Sequence, residues 1–134
     1  MTQTRREKDF MGEAEVPARA YFGIQTWRAV RNFPISGLRA PAVFNRAFAE
    51  IKKAAALTHK ELGALAGPVA DAIARAADEL MDGRFDDEFV VDIFQAGAGT
   101  SHHMNVNEVL ANRASEILGL SLIHISEPTR QAEI

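Results

Sequence analysis

The chain has 134 residues, of which 47% are hydrophobic and 25% charged, with a formal net charge of -3; this is the make-up of one ordinary compact domain. Acidic and basic residues are interspersed, so no basic stripe points to nucleic acid or an anionic membrane. Cysteine is absent, which excludes disulfides, thiol catalysis and cysteine-ligated zinc and fits a cytoplasmic protein.

The opening "MTQTRREKDFMGE" lacks the apolar segment of a secretory signal, and no stretch is apolar for long enough to span a bilayer. Up to residue 40 the pattern is irregular. Pro17, Gly23, Pro34 and Gly37 punctuate it, and "YFGIQTWRAVRNF" leaves room for a short helix only, so an arm packed on helices is expected. From Pro41 to Leu62 the apolar residues Phe44, Phe48, Ile51, Ala55 and Leu62 recur at helical spacing, and Gly63 supplies a stop. Pro68 suits a first helical position. Val69, Ile73, Ala76, Ala77 and Leu80 then mark one face, with Gly83 as the C-cap, and the short turn between the two helices predicts an antiparallel pair.

"RFDDEFVVDIFQ" changes period. Its run Phe89, Val90, Val91, Ile93 and Phe94 fits either a short extended segment or a buried helical turn. Next comes "AGAGTS", and beyond it Val106, Val109, Leu110, Arg113 and Ile117 return to helical spacing up to Gly119. The remainder, "LSLIHISEPTRQAEI", reads like an in-frame translation of a transposase-type sequencing adapter. Residues 1–119 are therefore expected to form the domain, and Leu120–Ile134 a non-native tail excluded from fold reasoning.

The glycine-rich stretch carries the chemistry. Gly97 and Gly99 let a ligand approach the main chain, Thr100 and Ser101 add hydroxyl donors, and a helix that is expected to open near Asn105 adds its dipole. A carboxylate would be held by several donors at once; a plain capped turn is the competing reading. His102 and His103 are adjacent and point to different sides, with no third ligand at helical spacing, so polar loop histidines are expected and no metal site. Asp86–Glu88 reads as a solvated turn and Lys52–Lys53 as part of a polar helix face. Arg28 is a further candidate for pairing a substrate carboxylate, against the reading of a structural arginine.

Three ordered blocks, "EKDFMGEAEVPARAYFGIQTWRAVRNFPISG", "KKAAALTHKELG" and "ADELMDGRFDDEFVVDIFQAGAGTSHHMNVNEVLANRASEILG", resemble the N-terminal domain of the fumarase/aspartase superfamily, from Arg5 to Gly119. Within it "YFGIQT", "NFPISG" and "VVDIFQAGAGTS" look more like aspartate ammonia-lyase, while "MNVNEVLANRASEILG" is equally at home in class II fumarate hydratase. Both branches typically carry Asn at the position of His103, a departure that bears on the substrate. The resemblance implies a mainly α fold, an irregular N-terminal arm ahead of a helical domain, with the family's central helical bundle missing. It implies no cofactor, and a small dicarboxylate substrate (L-aspartate, fumarate or malate) bound in part by Ala98, Gly99, Thr100 and Ser101. The family's catalytic groups lie downstream of these blocks, and its full-length members are homotetramers. The expectation is a lyase fragment that is inactive alone; the rival classes are a free-standing anion-binding module and a helical interaction domain.

Overall fold

The computed structural model describes residues 3–119; the tail proposed for Leu120–Ile134 lies outside them. In chain order the elements are strands β1 (Thr4–Asp9) and β2 (Gly12–Pro17), helices α1 (Ile24–Asn32), α2 (Ala42–Glu61) and α3 (Gly67–Met81), a 3-10 turn (Asp86–Glu88), and helix α4 (Thr100–Ile117).

The arm is thus not irregular throughout. β1 and β2 form an antiparallel hairpin, Thr4 opposite Pro17 and Asp9 opposite Gly12, and the side chains alternate between the two faces as strand geometry requires. The inward face of β1 is polar: Arg5 is half-buried, and Glu7 and Asp9 are buried. Arg5 satisfies the turn that follows the hairpin, donating to the carbonyls of Pro17 at 3.1 Å, Ala18 at 3.0 Å, Ala20 at 2.7 Å and Phe22 at 2.8 Å.

α1 starts without a cap of its own, and two carboxylates from elsewhere replace it. Glu108 on α4 accepts from the N–H of Gly23 at 3.1 Å, Gln25 at 3.0 Å and Thr26 at 2.8 Å, and from the Thr26 hydroxyl at 2.5 Å. Glu7 takes the Ile24 N–H at 3.0 Å. Negative charge at the positive end of a helix dipole is favourable, and the arrangement ties hairpin, α1 and α4 together. Burial pushes the Glu108 carboxyl up, against the pull of the Thr26 and Gln25 donors.

α2 and α3 form the expected antiparallel pair. Ion pairs Lys53–Asp78 (2.7 Å) and Lys60–Asp71 (2.8 Å) step along the two helices in opposite directions. The buried residues of the pair are mostly small, Ala49 and Ala56 on α2 and Ala70, Ala72, Ala76 and Ala77 on α3, with Ile73 and Leu80 in the core. The large apolar residues that mark α2 in the sequence are not its buried face: Phe44, Ile51 and Leu62 stand 46%, 64% and 74% exposed. α4 is the central element. Val106, Val109 and Leu110 are fully buried along with Asn105 and Glu108, and Arg113 grips Glu79 of α3 through Nε at 2.8 Å and Nη2 at 3.1 Å.

Between the 3-10 turn and the glycine-rich loop the chain is extended. Phe89 and Val91 are buried, and Asp92 bridges to Arg39 as an isolated antiparallel pair. The buried Asp92 carboxylate accepts from Ser36 N (2.7 Å), Ser36 Oγ (2.8 Å), Gly37 N (2.7 Å) and Phe94 N (2.8 Å). Burial alone would raise its pKa; the four donors outweigh that and hold it at about 2. The acidic turn is not wholly solvated either. Glu88 is half-buried and accepts from Tyr21 N at 2.9 Å and Phe22 N at 3.3 Å.

Candidate carboxylate site at the start of the fourth helix

α4 opens at Thr100, five positions before Asn105, where the sequence led us to expect it. Thr, Ser and two His in the first turn give no apolar period, so the pattern shows the helix only from Val106 onward. Asn105 is instead an internal clip, its Oδ1 accepting from Val90 N at 3.1 Å and its Nδ2 donating to Glu88 O at 2.9 Å. The chain enters the helix through Gly99 in the left-handed region (φ 74°, ψ 15°), which a residue with a Cβ adopts only at a cost.

Helix geometry leaves the first N–H groups without partners inside the helix. Gln95 takes one of them: its Oε1 accepts from His102 N at 2.7 Å, while its Nε2 donates to Asp92 O at 3.0 Å. Gly99 N reaches Ala96 O at 2.9 Å and His103 N reaches Gly99 O at 3.1 Å. The N–H groups of Thr100 and Ser101 remain at the helix's positive end, with the exposed Thr100 side chain beside them.

Thr100 borders an open cavity of about 540 Å³. The loop from Gln95 to Thr100 forms one side, and Phe44 and Phe48 of α2, Ile93, His102 and His103 form the other. Of the residues expected at the site, Ala98, Gly99 and Thr100 line this cavity. Ser101 follows in the helix, half-buried. Arg28 is not among the lining residues: it pairs with Asp9 through Nε and Nη2, both at 3.0 Å, and donates to Gly12 O at 3.3 Å. Its geometry is that of a structural arginine holding the hairpin on α1.

The histidines are helical, not loop residues. His102 is 4% exposed, its ring 4.9 Å from Phe44, 5.2 Å from Phe48 and 6.2 Å from Phe89. Burial, and then the neighbouring His103, push it below the ordinary histidine range; its Nε2 has no hydrogen-bond partner among the described residues. His103 is half-buried with Nε2 at 3.1 Å from Asn107 Nδ2, and burial followed by the charge of Lys52 pushes it down too. Gln95, Phe44 and Phe48 were not singled out for the site from sequence. The signal available was their flanking position on motifs already noticed, which carries no direction. Among the described residues, no group of three or more His, Asp or Glu is placed to hold a metal ion.

An aromatic-walled recess against a glycine-entered helix N-terminus, on a mainly helical domain with a small hairpin, is an arrangement suited to a small organic anion. A family model described as lyase matches residues 12–132, and the chain belongs to that lyase family. Among curated relatives, it is 55% identical over 115 residues to the class II fumarate hydratase of Halobacterium salinarum, a match covering 86% of this chain and 24% of that protein. It is 50% identical over 118 residues to the aspartate ammonia-lyase of a Bacillus species, covering 88% and 25% respectively. The solved fumarate lyase:delta crystallin of Brucella melitensis superposes with a TM-score of 0.91 at 47% identity, over 98% of this chain and 31% of that one. The chain spans about a quarter of the length of these curated relatives.

Proposed function

We propose that this chain supplies one wall of the dicarboxylate site of a lyase that converts L-aspartate to fumarate and ammonia, and that it is inactive alone. The observation carrying the reading is the first turn of α4. Gly99 leads the chain in, and Thr100, in the first turn of the helix, lines the cavity beside Ala98 and Gly99. In such a lyase a base removes a proton from the carbon beside one carboxylate, and the electron-rich carboxylate that results needs donors already in place before ammonia departs. Thr100 and the helix N–H groups are such donors. No base is assigned within this chain, and the remaining donors belong to the part of the relatives that it does not span. The complete enzyme is proposed to be a cytoplasmic homotetramer, and residues 120–134 a non-native tail; sequencing the source DNA across the Gly119 codon tests the latter.

A second reading, hydration of fumarate to malate, is favoured by the 55% identity to the Halobacterium fumarate hydratase. Complementation separates the two. The 134-residue chain is mixed with the Bacillus aspartate ammonia-lyase, or with the Halobacterium fumarate hydratase, each lacking the segment that this chain matches. Fumarate formation from L-aspartate only in the first mixture supports the ammonia-lyase, from malate only in the second the hydratase. Failure in both mixtures, or turnover by the chain alone, overturns the proposal. In the active mixture Thr100→Val is expected to lower kcat about 10²- to 10³-fold, the usual effect of removing one oxyanion donor.

A further inference from the structure

At three places in this fold, open backbone N–H groups are taken by carboxylates. Glu108 and Glu7 hold the start of α1, Glu88 holds Tyr21 and Phe22, and Asp92 holds Ser36, Gly37 and Phe94. The start of α4 is served by a neutral group instead. Gln95 Oε1 accepts from His102 N at 2.7 Å, and the N-cap residue Gly99 has no side chain to offer. Negative charge is favoured at the positive end of a helix, so a glutamate would suit this end better than an amide does. A local rule broken in this way is expected where a ligand has the stronger claim. Gln95 lines the cavity together with His102 and Thr100, and the lining contains no Asp, Glu, Lys or Arg.

The amide also sets where the loop lies. Its Nε2 donates to Asp92 O at 3.0 Å, so an acceptor and a donor are both used and the side chain has one orientation only. Asp92 is itself fixed, its carboxylate held by Ser36 and Gly37 and its backbone bridged to Arg39. Gln95 therefore spans two anchored points, Asp92 before the glycine-rich loop and the first turn of α4 after it.

We propose that Gln95 is a positioning and specificity-determining residue: it fixes the loop against α4 while its neutrality leaves the positive end of the helix to an anionic ligand. The inference rests on reading the cavity as a carboxylate site and assigns to Gln95 a part in it that its two hydrogen bonds alone do not require.

The test compares Gln95→Glu and Gln95→Met with the parent 134-residue chain in the active mixture with a truncated relative. Gln95→Met loses both hydrogen bonds and is expected to melt below the parent. Gln95→Glu keeps an acceptor for His102 N and adds a favourable charge at the helix end, which offsets the lost bond to Asp92 O, so it should melt above Gln95→Met. The order in substrate binding is expected to be the reverse. Gln95→Glu should raise KM about tenfold or more, the scale of one repulsive charge beside a bound anion, and Gln95→Met no more than about threefold. In this open cavity the Gln95→Glu penalty should shrink several-fold as salt rises from about 0.05 M to about 0.5 M, because the repulsion is screened. A KM for Gln95→Met as high as for Gln95→Glu, a penalty indifferent to salt, or a Gln95→Glu chain that melts below Gln95→Met would each overturn the inference and leave the carboxylate site standing. If the parent mixture turns over neither L-aspartate nor malate, the site reading falls and this inference with it.

Discussion

Gly23 has no side chain because two carboxylates occupy the space one would need: a Cβ there would stand 2.5 Å from Glu108 Oε2 and 3.0 Å from Glu7 Oε1. Neither carboxylate can withdraw freely, since Glu108 holds three N–H groups at the start of α1 and Glu7 a fourth. Gly23→Ala should therefore lower the unfolding free energy by about 1–3 kcal/mol, the range for forced overpacking, measured by urea denaturation; an unchanged midpoint would show that the carboxylates do not cap α1 rigidly. The loop glycines separate in the same assay. Nothing lies within 4 Å of a Cβ at Gly97 or at Gly99, but only Gly99 has a positive φ, at 74°. Gly97→Ala is expected to be neutral, and Gly99→Ala to cost about 1–2 kcal/mol through its left-handed backbone. Sequence alone singled out Gly99 and Thr100 as candidate site residues, and both line the recess. It could not show that His102 is buried, because burial of a first-turn residue is decided by Phe44 and Phe48, more than fifty positions away in the chain.

The contact between α2 and the start of α4 carries a pH dependence. Burial holds His102 below its ordinary value of 6.5, so the unfolded chain binds a proton that the folded chain resists. Its contribution to stability is complete above pH 6.5 and is lost as the pH falls towards the lowered folded value. His102→Phe keeps an aromatic ring against Phe44 and Phe48 and removes the titration. The parent should lose melting temperature relative to this variant as the pH falls from 7 to 5; parallel curves would mean that His102 is not held neutral. α2, α3 and the body of α4 were legible because their apolar spacing and their Pro and Gly punctuation agree, as at Pro68 and Gly83, whereas the pattern over α1 leaves room for a short helix only. The hairpin was not. Its inward side carries Arg5, Glu7 and Asp9, so the apolar alternation that announces a half-buried strand is absent, and what recommends those residues is their fit to N–H groups and carbonyls contributed by distant segments. The buried face of α2 was not legible for a related reason: its buried apolar residues are Ala49 and Ala56, which carry too little hydrophobicity to stand out against the larger exposed residues.

Those exposed residues shape the behaviour of the whole molecule. Val43, Phe44, Ile51 and Leu62 along α2 are 69%, 46%, 64% and 74% exposed, and Phe10 and Met11 at the hairpin tip reach 88% and 67%. Single exposed apolar residues are ordinary on a folded surface; a row of them along one helix is a surface with a tendency to associate. The net charge of -3 gives only weak repulsion between copies, and it is screened over about 8 Å at physiological salt. The 134-residue chain should therefore show a sedimentation coefficient that rises with concentration. Ile51→Glu and Leu62→Lys should each suppress the rise without changing the melting curve at low concentration, because neither side chain contributes to the core around Ile73, Leu80 and Leu110. High salt should leave the association intact or strengthen it, as burial of apolar surface requires, whereas association driven by charge would weaken. A coefficient independent of concentration would show that this row of apolar side chains does not drive assembly under these conditions.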